Sequence, residues 1–315
     1  MSEETEKILE GERPEAEIAE ERPKEMHPEK PEKTKHPALL AIYLVLGAAA
    51  LILGLVLIIK YSGTVKELTV RAEEFTAAGK ELPEELKKDL ANATGARAVG
   101  IALLPLTAMF LLAGLLLYNS KGVFWIRTIL SMTIGSFLFF LLGRFLVIPF
   151  EIGETTFCFS PQYAFLAFMG SVFGPLTGVV TGIVGYFFVD LSRGAGVAWS
   201  WAIASGFFGL AMGFFARIMK LNKGKISGKK ILLFNAAQLL VNLLTWLVIA
   251  PVLDMTFYGI SADVAFVQNG LPNTFMNFLA TGIFGTLLFT LWSLFQKEKE
   301  EEVTGEAAPV PQKTE

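Results

Sequence analysis

From Tyr163 to Val189 the chain carries no charged residue, and Gly174-Pro175 interrupts the run in its middle. A stretch of this kind belongs in lipid or in the interior of a membrane protein. Up to Asp190 it would make one straight helix of roughly 42 Å, against a hydrocarbon core of roughly 30 Å. Proline removes a backbone donor and clashes with the preceding turn, and Gly-Pro is a turn signal. Two short helices folded back at Gly174-Pro175 are therefore expected; the alternative is one kinked, tilted helix.

Further apolar blocks cover Pro37–Ile59, Ala98–Tyr118, Val123–Pro149, Trp199–Ile218, Ile231–Leu253 and Asn273–Phe295. Hydrophobic residues make up 53% of the chain, 27 of them Phe, and the mean hydropathy is +0.51, more apolar surface than a soluble domain of this size needs. The expected class is an all-α membrane protein with about eight transmembrane helices. Cys158 is the single cysteine, so no disulfide or Cys-based metal site forms within one chain. His27 and His36 precede the first span, and no metal site is expected.

Residues 1–36, rich in Glu, Lys and Pro, read as a disordered tail, and 298–315 as a second charged tail. No signal peptide is expected, because the first apolar block starts far from Met1 and is too long for an h-region. Residues 61–97 are polar and expected to be helical, with a break at Pro83. The loops Glu151–Pro161 and Met255–Pro272 lack Lys and Arg, whereas Arg217–Lys230 holds Arg217, Lys220, Lys223, Lys225, Lys229 and Lys230 and no acid. Basic short loops favour the cytoplasm. With Arg217–Lys230 inside, the two acidic or neutral loops share the outer side only if the 163–190 stretch crosses twice. Both termini are then cytoplasmic, in a multi-pass protein of the cell membrane.

Small residues recur at helix-packing spacing: Gly178 with Gly182, Ser205 with Gly209 and Gly213, and Ser131 with Gly135. Such ridges let backbones approach where lipid supplies no hydrophobic drive. Polar residues also align. Asn235, Gln238, Asn242 and Trp246 fall on one helical face, and Asn273, Asn277 and Thr281 on another. Polar groups in lipid need partners, so both faces look inward, either at other helices or at a ligand. Asn242, Trp246, Asn273 and Asn277 lie toward the outer side, level with the aromatics Phe157, Phe159, Tyr163, Trp199 and Trp201; together with Gln162, Tyr163 and Trp199 they are the candidate substrate-binding residues. Aromatics with neutral amides suit a flat heteroaromatic ligand better than an ion. Arg144 and Asp190 read as a structural ion pair or as snorkelling side chains. No Walker A motif, no paired catalytic acids and no Ser/His/Asp arrangement is visible, so no enzyme is expected and no cofactor is implied.

From about Val123 to Lys297 the sequence resembles the substrate-binding S component of energy-coupling factor (ECF) transporters, in particular the riboflavin group. The resemblance rests on Gly143-Arg144-Phe145 with Ile148-Pro149, on Pro161-Gln162-Tyr163-Ala164, and on Phe173-Gly174-Pro175 with Gly178. It continues through Gly185 with Asp190, Trp199-Ser200-Trp201 leading into Ile203-Ala204-Ser205-Gly206, and Asn235, Gln238, Asn242, Trp246, Ala250-Pro251 and Asp254. Tyr186 stands where the family often has His, and Ala198 where it often has a second Trp; both departures bear on substrate identity.

The resemblance implies a six-helix S-component bundle over 119–297, preceded by an extra transmembrane hairpin over 37–118. It also implies an outward-facing pocket for a vitamin-like molecule, riboflavin first. ATP would be hydrolysed by partners: a membrane coupling subunit, onto which Ser131 and Gly135 would dock, and two ATP-binding subunits. Another B-vitamin or precursor as ligand, and a membrane sensor or scaffold role suggested by the extra hairpin, stay open as alternatives.

Overall fold

The computed structural model describes residues 36–118, 123–152, 155–194, 196–221 and 226–304. The expected tails over 1–35 and 305–315, the polar turn 119–122, and Lys223 and Lys225 of the basic loop lie outside the described residues.

Two long helices open the chain, α1 (Pro37–Ala77) and α2 (Glu84–Tyr118). Each continues beyond the apolar block that begins or ends it, so the polar 61–97 segment is helical on both sides of Pro83. At 1.5 Å per residue, α1 is roughly 60 Å long, about twice the hydrocarbon core. The two meet along a regular seam. Tyr43, Gly47, Ala50 and Gly54 are buried on α1, and Leu106, Phe110, Ala113 and Leu117 on α2, both at 4-3-4 spacing. That 3.5-residue period is the one that winds helices into a coiled coil. Gly54 and Gly100 bring the backbones together: a Cβ on Gly100 would lie 2.9 Å from the Gly54 carbonyl oxygen. The outer face of α1, including Val45, Ile52 and Ile59, is bare apolar surface suited to lipid.

α3 (Val123–Phe145) is followed by an antiparallel hairpin, β1 (Ile148–Ile152) and β2 (Thr155–Phe159), with Ile148 paired to Phe159 and Phe150 to Phe157. This corrects two expectations: the third span stops at Phe145 instead of Pro149, and the segment read as a loop is largely strand. Alternation of Ile148, Phe150 and Ile152, answered by β-branched and aromatic residues on β2, favours the pleated pairing.

Next come α4 (Pro161–Phe173) and α5 (Pro175–Arg193). The break falls at Gly174, whose φ of +107° an L side chain rarely adopts, and Pro175 opens α5 at its first turn, where a missing N–H costs nothing. The Arg217 guanidinium occupies the space a Gly174 Cβ would fill, so this turn sits at the basic end of the bundle.

α6 (Trp199–Ile218), α7 (Gly228–Tyr258) and α8 (Asp263–Phe295) complete the bundle. α5 and α6 touch backbone to backbone; a Cβ on Gly209 would sit 2.8 Å from the Gly178 Cα. Both α7 and α8 widen to π-helical turns, at Leu243–Ile249, Asp263–Gly270 and Thr281–Gly285. Pro251 and Pro272 follow two of these, where a wider turn relieves the clash of a helical proline with the preceding carbonyls. The expected loop Met255–Pro272 is therefore mostly helix, open only around Gly259–Ser261.

Seven of the described helices are long and apolar enough to cross a membrane. With the shorter α4 folded against α5, the chain is an all-α membrane protein of about eight helices. The hairpin rests on the bundle through α2: the Phe110 ring stacks edge-on against Phe137 at 5.6 Å, and Ala98 lies against Gly194 beyond α5.

Candidate functional site

Trp246, in the first π-turn of α7, is fully buried, and two elements bring three rings to it. Tyr163 of α4 lies 4.5 Å away at 59°, Trp201 of α6 stacks at 5.6 Å and 15°, and Phe208 of α6 lies at 5.9 Å. Pro161 starts α4 directly after β2, which sets Gln162 and Tyr163 in its first turn, just inside the strand hairpin. Gly143 makes room for Gln162, since a Cβ there would overlap the Gln162 amide.

Buried amides flank the rings. Asn242 donates from Nδ2 to the Gln238 Oε1 and backbone O, each at 2.8 Å. Gln238 donates weakly to Asn235 at 3.5 Å, and Asn235 donates to the Thr286 hydroxyl at 2.9 Å, tying α7 to α8. The deep part of the polar face is thus an interhelical ladder. Other buried atoms are unpaired: Asn242 Oδ1, Gln162 Oε1, Asn277 Nδ2 and Trp246 Nε1 have no hydrogen-bond partner, nor do the Ser205, Thr245 and Thr281 hydroxyls. A buried polar group left unpaired costs about 1–3 kcal/mol, so a set of them on facing helices holds unused bonding capacity. None of these side chains carries a formal charge.

Of the residues singled out from sequence, Gln162, Tyr163, Asn242, Trp246 and Asn277 lie in this buried layer. Two do not. Trp199 is 49% exposed, packs on Phe187 at 6.0 Å, and donates its backbone N–H to the Tyr258 hydroxyl. Asn273 bonds back to the Asn269 carbonyl of its own helix at 2.8 Å. Trp201, an aromatic expected at this level, joins the layer, and so does Phe208, which was not singled out. The signal was available: Trp201, Ser205, Phe208 and Met212 repeat at i, i+4, i+7 and i+11, and Trp199 falls about 200° round the helix from Trp201.

Ser131 and Gly135 face inward. The Ser131 hydroxyl lies 3.0 Å from that of Thr177 on α5, and a Cβ on Gly135 would come 2.8 Å from the Met169 methyl. At the end of α5 away from the Gly174 turn, Asp190 accepts from the Ala198 N–H at 3.0 Å and faces Arg193 at 3.6 Å, while Arg193 reaches the Gly143 carbonyl. Arg144 lies over the Phe145 ring, beside Gly95 of α2. Two apolar clefts lie elsewhere, one of about 170 Å³ between α2, α3 and α5 and one of about 540 Å³ between α3 and α4; neither includes a residue of the aromatic–amide layer.

Spans this long, with an aromatic and amide layer sealed inside them, define a multi-pass helical membrane protein built around a polar core. Residues 123–293 match the family described as ECF-type riboflavin transporter, S component, and the chain belongs to that family. It is 40% identical over 170 residues to a UPF0397 protein of Exiguobacterium sp., which covers 54% of this chain and 91% of that protein. It is 34% identical over 174 residues to a UPF0397 protein of Staphylococcus aureus strain bovine RF122, covering 55% of this chain and 93% of the relative. No solved structure matches. The α1–α2 hairpin lies outside the matched residues.

Proposed function

We propose that this chain is a vitamin-capturing subunit, with riboflavin as first candidate, that delivers its ligand to an ECF module made of a membrane coupling subunit and two ATP-binding subunits. The observation that carries the reading is the unpaired set on facing helices. Asn277 Nδ2 and Trp246 Nε1 offer donors, Asn242 Oδ1 and Gln162 Oε1 offer acceptors, and aromatic rings of α4, α6 and α7 pack beside them. A flat, neutral heteroaromatic molecule with both carbonyl and N–H groups on its edge answers donors and acceptors together, and a hydrogen-bonding site rejects analogues that lack them. The basic end, with Arg217, Lys229 and Lys230, is taken as cytoplasmic and the strand hairpin as external. Both termini then lie on the cytoplasmic side of the cell membrane.

The test is to extract the protein in detergent, denature it and identify the released small molecule by mass spectrometry. A stoichiometric flavin supports the reading. A different B-vitamin or precursor keeps the transport role and changes the substrate. No bound molecule, together with no binding of added riboflavin or other vitamins, contradicts it and favours the sensor or scaffold alternative.

A further inference from the structure

Asp254, on the last turns of α7, is 2% exposed and has no part in the unpaired set around Trp246. Among the described residues no Lys or Arg pairs with it. Its partners are instead neutral and belong to α6. The Ser200 hydroxyl donates to Oδ1, and the Trp201 indole Nε1–H donates to Oδ2 at 3.0 Å. Both donors stand in the first turn of α6.

We infer that Asp254 is the positioning residue of the site's aromatic wall. Trp201 is half-buried, whereas Trp246 beneath it is fully enclosed, so Trp201 forms the outer leaf of the stack. The rotation of an indole about its second side-chain torsion is broad and is not fixed by the backbone. Stacking on Trp246 by itself does not select the direction in which the indole N–H points. The Nε1–H bond to Asp254 selects it, and because Asp254 and Trp246 share α7, the bond also fixes Trp201 relative to the ring it covers. Ser200 holds the other carboxylate oxygen, so the acceptor itself cannot turn. Trp201 and Trp246 are thereby kept within 15° of parallel.

The carboxylate supplies geometry, not charge, and two substitutions in the full-length protein separate these. Asp254→Asn keeps the shape: its carbonyl accepts from Trp201, and its amide donates to the Ser200 hydroxyl, which also accepts. Asp254→Glu keeps the charge and displaces it by one methylene. The first readout needs no ligand: the exciton couplet of the stacked indoles in the circular dichroism spectrum. Asp254→Asn is expected to retain the couplet and Asp254→Glu to lose it. The reverse pattern, or equal behaviour of the two variants, overturns the inference. The second readout is a riboflavin titration, and it rests on the proposed function. There Asp254→Glu is expected to bind at least about 10-fold more weakly than Asp254→Asn, the size of one lost bond to a charged group. A wild-type protein that does not bind riboflavin defeats the substrate reading and leaves the dichroism result to decide the role of Asp254.

Discussion

The α1–α2 hairpin and the bundle from α3 to α8 both pack apolar helices where lipid gives no hydrophobic drive, and they do so differently. In the hairpin the helices run long and regular and meet along one 3.5-residue seam. Its buried Thr107 bonds within its own helix, to the Leu103 carbonyl, while the Tyr43 hydroxyl in the seam is buried without a hydrogen-bond partner. In the bundle the helices are short, as in α4, or widened by π-turns, as in α7 and α8. They enclose Gln162, Ser205, Asn242, Thr245, Asn277 and Thr281, several with atoms that bond to nothing. The bundle gives up regularity where the Trp246 layer lies, and wide turns and unpaired polar groups of this kind collect at functional sites.

The largest effect expected from breaking this contrast is at Gly209. A valine there would drive carbon into the Gly178 backbone, which cannot move aside as a side chain would. Overpacking of a close interface costs about 1–3 kcal/mol or more, seen as loss of the folded monomer in size exclusion and a lower Tm. Gly135→Leu comes next. Its side chain would meet Met169 and Thr181, so binding and uptake are expected to fall together. Retained binding with lost uptake would instead put Gly135 on the coupling-subunit surface. Removing residues 37–118 is expected to leave riboflavin affinity unchanged, since α1 and α2 supply none of the aromatic–amide layer. A shortened protein that cannot be extracted folded, or that has lost affinity, would make the hairpin integral to the bundle. The smallest effect is in the hairpin: nothing lies within 4 Å of a Cβ on Gly63, and Gly63→Ala should stabilise α1. A gain of about 0.5–1 kcal/mol, read as a slightly higher Tm, fits a free helix surface.

The helical framework was legible because its signals are local. Gly174-Pro175 breaks the chain through its own backbone chemistry, and the span count follows from apolar length. The strand hairpin was not, because its charge pattern resembles a loop and only the pairing of Phe150 with Phe157 reveals it. Residues 255–272 looked like a loop for a similar reason: polar residues and prolines hid a helix that tolerates them by widening. In the site, the amides of α7 stood out because polar residues in lipid are rare. Trp201 and Trp199 differ only in which side of α6 they occupy, and that was decided by the face shared with Ser205 and Phe208. The small spacing of Ser131 and Gly135 says that a neighbour is close, but which neighbour is a matter of tertiary arrangement; here it is α5.

The central claim is that the unpaired amides on α7 and α8 are completed by a ligand. Riboflavin titration of the wild-type protein and of the Asn242→Ala, Asn277→Ala double variant tests it most directly. Each lost bond to a buried ligand group is worth about 1–3 kcal/mol, so the double variant should bind at least about 30-fold more weakly. Equal affinity in the two proteins would contradict the account.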